Sequence, residues 1–139
     1  MRLDFDEQHG FWIQDDPPYP MLPVRLSNGS RSLDTYAMLD SGADECLFHA
    51  DYGKRIGLNI ESGVWGTLGS ISAADDIETY THTIELRIGN KHTVRCKVRF
   101  SYDVGDDPID QLIGRNVVFD KLRFALRQGA LSLYVGGSP

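Results

Sequence analysis

The stretch of this chain best suited to chemistry is Ala37-Met38-Leu39-Asp40-Ser41-Gly42-Ala43-Asp44. Apolar residues lead straight into an aspartate, a hydroxyl residue and a glycine. Such a run reads as a strand that delivers one carboxylate to a tight turn. A hydroxyl sits beside the carboxylate, and Gly42 leaves room for a substrate backbone to come close. Each residue also has a plainer reading. Asp40 can cap its own turn with its side chain, Ser41 can be a turn residue, and Asp44 with Glu45 can be the acidic start of a helix.

No other reactive side chains form a comparable pattern. Cys46 and Cys96 are the only two cysteines, and without a CxxC or a Cys/His cluster they suggest no metal. They read as reduced, buried thiols and lean towards a cytoplasmic setting. His9, His49, His82 and His92 share no ligand spacing, and His92 falls on the apolar face of its strand as a satisfied core or edge histidine. The pairs Asp15-Asp16, Asp75-Asp76 and Asp106-Asp107 read as solvated turns. No Gly-x-Ser-x-Gly elbow supports Ser-His-Asp catalysis. No metal and no cofactor are expected.

The elements that must position Asp40 are mostly strands. Val24-Arg25-Leu26 and Leu33 to Leu39 flank Asn28-Gly29, a hairpin signal because both turn residues tolerate positive φ. The second strand of that hairpin runs directly into Asp40. Phe48 to Leu58 is compatible with a short helix stopping near Gly57. Ile84, Leu86 and Ile88 alternate with polar residues, as do His92, Val94, Cys96, Val98 and Phe100. Both apolar sets share a face only if Ile88 opposes His92 across Gly89-Asn90-Lys91, which sets Glu85 against Arg95. Arg95, Lys97 and Arg99 then form a basic strip expected to face solvent. Leu112-Ile113-Gly114-Arg115-Asn116 precedes a short helix over 117–122. A final hairpin pairs Leu126 with Leu131 and Phe124 with Leu133 around Gln128-Gly129.

Turn signals recur every ten residues or so, which makes this a mainly β protein. At 139 residues with 41% hydrophobic content, one domain can bury a core without staples. Residues 1–20 differ in character: Phe11, Trp12 and Tyr19 want burial, while Pro17, Pro18 and Pro20 oppose regular structure. They read as an extension packing on the body, or on a partner subunit, ahead of a domain over 21–139. The acidic, interrupted start reads as no secretory signal, and no apolar run approaches the roughly 18 residues of a membrane span. A net charge of −6 argues against nucleic acid as a partner, because phosphate binding relies on clustered Lys and Arg.

Leu39-Asp40-Ser41-Gly42-Ala43-Asp44, followed at a distance by Leu112-Ile113-Gly114-Arg115-Asn116, resembles the retropepsin-like aspartic protease family. In that family a hairpin leads to an Asp-Thr/Ser-Gly-Ala loop, then a glycine-bearing flap and further strands. An apolar-apolar-Gly triplet, a short helix and a final strand complete the order. The likeness covers roughly Met21 to Val135 in order of elements. It implies a closed acid-protease-like β-barrel with one short helix near the C-terminus and room for a second after the active-site loop.

The chain carries one such loop, so the resemblance implies a homodimeric aspartic endopeptidase with Asp40 catalytic in each subunit and a peptide or protein as substrate. Ser41 would brace the two loops, Gly42 would let the substrate lie close, and Ala43 and Asp44 would contact its backbone. Ile113 and Gly114 would pack behind the loop. The flap would lie in Val64-Trp65-Gly66-Thr67-Leu68-Gly69-Ser70-Ile71, with Gly66, Thr67, Leu68 and Gly69 over the substrate, although the segment lacks a Gly-Gly doublet. The same fold without turnover, as a dimerisation or peptide-binding module, is the alternative.

Overall fold

The computed structural model describes residues 2–69 and 76–137. Ten strands and two short helices follow one another: β1 Glu7–Gly10, β2 Met21–Asn28, β3 Arg31–Leu39, β4 Cys46–His49, α1 Ala50–Arg55, β5 Val64–Leu68, β6 Ile77–Ile88, β7 His92–Ser101, β8 Leu112–Ile113, α2 Val118–Lys121, β9 Leu122–Arg127 and β10 Ser132–Gly137. The fold is mainly β, as the turn spacing predicts. Six strands run in the order β2-β3-β8-β4-β7-β6, and β6 pairs back onto β2 to make a ring, with β5 added outside on β6. A separate three-stranded sheet joins β1, β10 and β9.

Inside the ring, alternate residues supply the core. Ile84, Leu86 and Ile88 on β6 and Val94, Cys96, Val98 and Phe100 on β7 are all buried, and their side chains share one face because strand side chains alternate. The register is the one the apolar pattern requires: Ile88 opposes His92 and Glu85 opposes Arg95. Gly89 takes φ +74° in the turn, a conformation that glycine adopts without steric cost. The first hairpin also forms, with Leu26 opposite Leu33 and Gly29 at φ +59°.

Three local expectations change. The stretch 48–58 is not one helix. Cys46, Leu47 and Phe48 are buried in succession, so they form a strand covered on both sides, parallel to β7 with Phe48 beside Phe100. Only Ala50–Arg55 is helical; the His49 side chain accepts from the Asp51 N–H at its start, and Gly57 at φ +86° follows its end.

The last hairpin is shifted by two residues, pairing Leu126 with Leu133 and Phe124 with Val135. A 3-10 turn at Gln128–Ala130 ends on Leu131 in the left-handed region, φ 48°, and this longer connection replaces the two-residue turn. A shift of two preserves which face each side chain points to.

Within residues 1–20, the stretch ahead of the prolines is regular: β1 pairs with β10, Glu7 opposite Val135. Phe11 is buried, Trp12 and Tyr19 exchange backbone hydrogen bonds at 2.8 and 3.0 Å, and the Trp12 ring lies 5.4 Å from that of Tyr36.

Candidate active site

Asp40 is the first residue beyond β3, and its position is set from behind by β8. The two strands run parallel, Met38 beside Leu112 and Leu39 beside Ile113. The Asp40 N–H donates to the Ile113 carbonyl at 3.0 Å, and the Leu39 N–H donates to Pro20 at 3.0 Å. The loop then closes on itself. Asp40 Oδ1 accepts from the Gly42 N–H at 2.9 Å, and the Asp40 carbonyl accepts from Ala43 at 3.2 Å. Asp40 is half-buried, whereas Ser41 and Gly42 are exposed.

Residues 112–116 form the other half of this unit. Ile113 is fully buried. A Cβ on Gly114 would lie 2.3, 2.4 and 2.8 Å from the Glu45 backbone O, C and N atoms. No other residue fits there without displacing the loop. The N–H groups of Arg115 and Asn116 donate to the carbonyls of Ala43 and Asp44 at 2.9 and 2.7 Å, and the Arg115 guanidinium pairs with the Asp44 carboxylate. The two motifs of the sequence, more than seventy positions apart in the chain, therefore interlock through their backbones.

Gln111, absent from the expected site, holds β8 in place. Its side chain is fully buried. Oε1 accepts from the His49 N–H at 2.7 Å, and Nε2 donates to the Gly105 and Asp107 carbonyls at 3.1 and 2.7 Å. Its side chain ties the preceding 105–107 loop to His49, 62 positions away, a link that the local sequence does not mark.

An open groove of about 470 Å³ runs beside the loop and brings together Gly42, Ala43, Asp44, Leu68 and Gly69 of the expected site. It adds Glu45, Leu47, Ile77, Arg99 and Leu112. Thr67 alternates away from Leu68 and is exposed, while Gly66 sits against the Arg99 guanidinium, with 3.1 Å to an added Cβ. Ser70 and Ile71 of the expected flap, and Asp75 of the Asp75-Asp76 pair, lie outside the described residues.

Arg99 corrects the solvent-facing basic strip. Arg95 and Lys97 are exposed, but the Arg99 side chain is only 20% exposed. It donates to both Glu45 carboxylate oxygens at 2.8 and 3.2 Å and to the fully buried Thr79 hydroxyl at 2.8 Å. Thr79 pairs with Gly66 across β5 and β6. One guanidinium thus connects the residue after the loop to the strand pair that overhangs the groove. Cross-strand placement, Leu47 beside Arg99, decides this, and strand alternation alone could not.

The cysteines are free and buried, and contact with Cys46 together with burial pushes the Cys96 thiol well above its usual range. Neither lines the groove. No helix among the described residues is long and apolar enough to cross a membrane. No protein-family model and no curated protein matches the chain.

Proposed function

We propose that the six-strand ring is the barrel of a retropepsin-like acid protease and that the chain acts as a homodimeric aspartic endopeptidase. The observation that carries this reading is the interlock of Asp40-Ser41-Gly42-Ala43-Asp44 with Leu112-Ile113-Gly114-Arg115-Asn116. It fixes the Asp40 carboxylate in the loop whose following residues Gly42, Ala43 and Asp44 line the groove; Asp40 itself is not among the lining residues. The exposure of Ser41 and Gly42 adds support, because that surface is free to meet a second copy.

Hydrolysis by water needs a base for the water proton and an acid for the carbonyl oxygen. Asp40 and the same residue of a second copy, sharing one proton, supply both roles, since like charges about 3 Å apart do not both ionise near neutral pH. One carboxylate must act as base while the other acts as acid, so activity is expected to follow a bell-shaped pH profile. The water attacks the peptide carbonyl as one carboxylate takes its proton and the other protonates the oxygen. Collapse of the tetrahedral intermediate then expels the amine, which receives a proton from the dyad. Gly42, Ala43 and Asp44 bind the substrate backbone from one side, with Leu68 and Gly69 opposite, in strand-like pairing.

Asp40→Asn tests the reading. A loss of cleavage on the order of 10³-fold or more, with the dimer retained in sedimentation, is expected. Equal cleavage by variant and parent refutes the catalytic assignment. One contact favours the second reading, a peptide-binding module without turnover: Asp40 Oδ1 accepts from Gly42, as a purely structural turn aspartate also does. Peptide binding by both proteins, with cleavage by neither between about pH 3 and pH 8, would select it.

A further inference from the structure

The histidines show no ligand spacing in the sequence, yet folding gathers two of them around adjacent acids of the N-terminal strand. We propose that Asp6, Glu7 and His92 form a binding site for one divalent cation of zinc's chemistry, placed where it fastens β1 to the start of β7. This site is separate from the groove and stands whether or not the chain is a protease.

The geometry of one imidazole nitrogen carries the inference. His92 Nε2 faces Asp6 Oδ1 at 2.8 Å and Glu7 Oε2 at 3.5 Å. The two carboxylates of adjacent residues and one imidazole nitrogen from 86 positions along the chain thus lie within reach of a single cation. The donor atoms all lie within 4.8 Å of one another. Tetrahedral zinc with bonds near 2.0–2.2 Å needs ligand atoms roughly 3.3 Å apart. The Glu7–His92 spacing is already close to that. The Asp6 side chain is 46% exposed and can swing outward to widen its own.

Glu7 is not a casual surface acid. Its side chain is only 4% exposed. The Asn90 and Lys91 N–H groups donate to its oxygens at 2.6 and 3.2 Å, and His9 Nε2 lies 2.8 Å from Oε1. Gly89 leaves it room, since a Cβ there would sit 2.5 Å from the same oxygen. These contacts orient the carboxylate as outer-shell partners orient metal ligands. Lys91 Nζ, a competing cation, is 4.0 Å from Asp6 Oδ2 and more than half exposed. One imidazole with two carboxylates suits zinc-like ions; magnesium and calcium prefer fuller oxygen shells.

Calorimetric titration of the chelator-stripped full chain with zinc chloride tests the proposal, alongside thermal unfolding with and without zinc. The expected result is one zinc per chain and a higher Tm, with no response to magnesium. His92→Gln and, separately, the exposed-side variant Asp6→Asn should each weaken zinc binding roughly tenfold or more, while His49→Gln leaves it unchanged. Absence of binding at submillimolar zinc overturns the site. So does binding that survives both Asp6→Asn and His92→Gln, or that follows Cys46→Ser instead.

Discussion

Gly114→Ala is the sharpest perturbation of the loop–β8 interlock. The added methyl would stand 2.3 Å from the Glu45 carbonyl oxygen, 2.4 Å from its carbon and 2.8 Å from its nitrogen. All three are backbone atoms, so no side-chain rotation relieves the clash. Restoring ordinary contact requires the backbones to part by about 1 Å, beyond what close-packed interiors absorb. Overpacking of this kind costs about 1–3 kcal/mol, and urea unfolding should show that loss in the midpoint with little change in slope.

The separation also pulls on the Asp40 N–H bond to Ile113 and on the Arg115 and Asn116 bonds to the loop. A 1 Å misplacement at a reacting group can cost about 10²-fold, so on the proposed protease reading kcat/KM for a peptide should fall at least that far in folded protein. An alanine variant as stable as the parent, within about 0.5 kcal/mol, would show that the interlock is not as tight as its distances indicate. An unstable variant with undiminished kcat/KM would separate packing from catalysis and refute the positioning argument alone.

Arg99→Met should destabilise the chain by about 1–3 kcal/mol in urea unfolding, because Glu45 loses its partner and the buried Thr79 hydroxyl loses a charged donor; an unchanged midpoint would make the pair ornamental. Phe100→Ala removes a fully buried ring that touches Gly53 of α1, with 3.0 Å to an added Cβ, and lies beside Phe48. Its expected cost is about 3–5 kcal/mol, and a loss under 1 kcal/mol would contradict the packing. Hydrogen bonding to Arg25 holds the Asp34 carboxyl below its ordinary value. A folded-state pKa below the unfolded one contributes stability above the ordinary carboxylate range, near 4, and loses it as pH falls through the lowered folded value. Arg25→Met should therefore flatten the stability profile on the acid side of pH 4, and identical acid-side slopes for both proteins would refute it.

Much of the site was legible because its signals are local. Asp40-Ser41-Gly42 is a strand end followed by a turn, and its Oδ1 contact reaches only to Gly42. Leu112-Ile113-Gly114 is tied to that loop in the sequence only through the resemblance, which sets Ile113 and Gly114 behind it; the strand and the close approach at Gly114 come from the structure. Gln111 and Arg99 gave no such signal, because each has a partner far along the chain, His49 and Glu45, and a lone polar residue does not name a distant neighbour. The final hairpin was misread by two positions for a related reason: alternation fixes parity, and both registers satisfy it.

By itself the sequence determined which strands alternate, where the turns fall, which face of β6 and β7 is apolar, and that one acidic loop would end β3. Those follow from backbone preferences and side-chain periodicity within a few residues. Tertiary structure alone decided that β8 lies between β3 and β4, parallel to the first and antiparallel to the second, and that β4 lies parallel to β7. From those neighbours follows the Glu45–Arg99 pair, 54 positions apart; the Asp6–His92 contact, 86 apart, comes instead with β1, which pairs with β10 in the separate sheet. Such contacts form because strands that share a core must also share edges, and closure of the ring selects which edges meet.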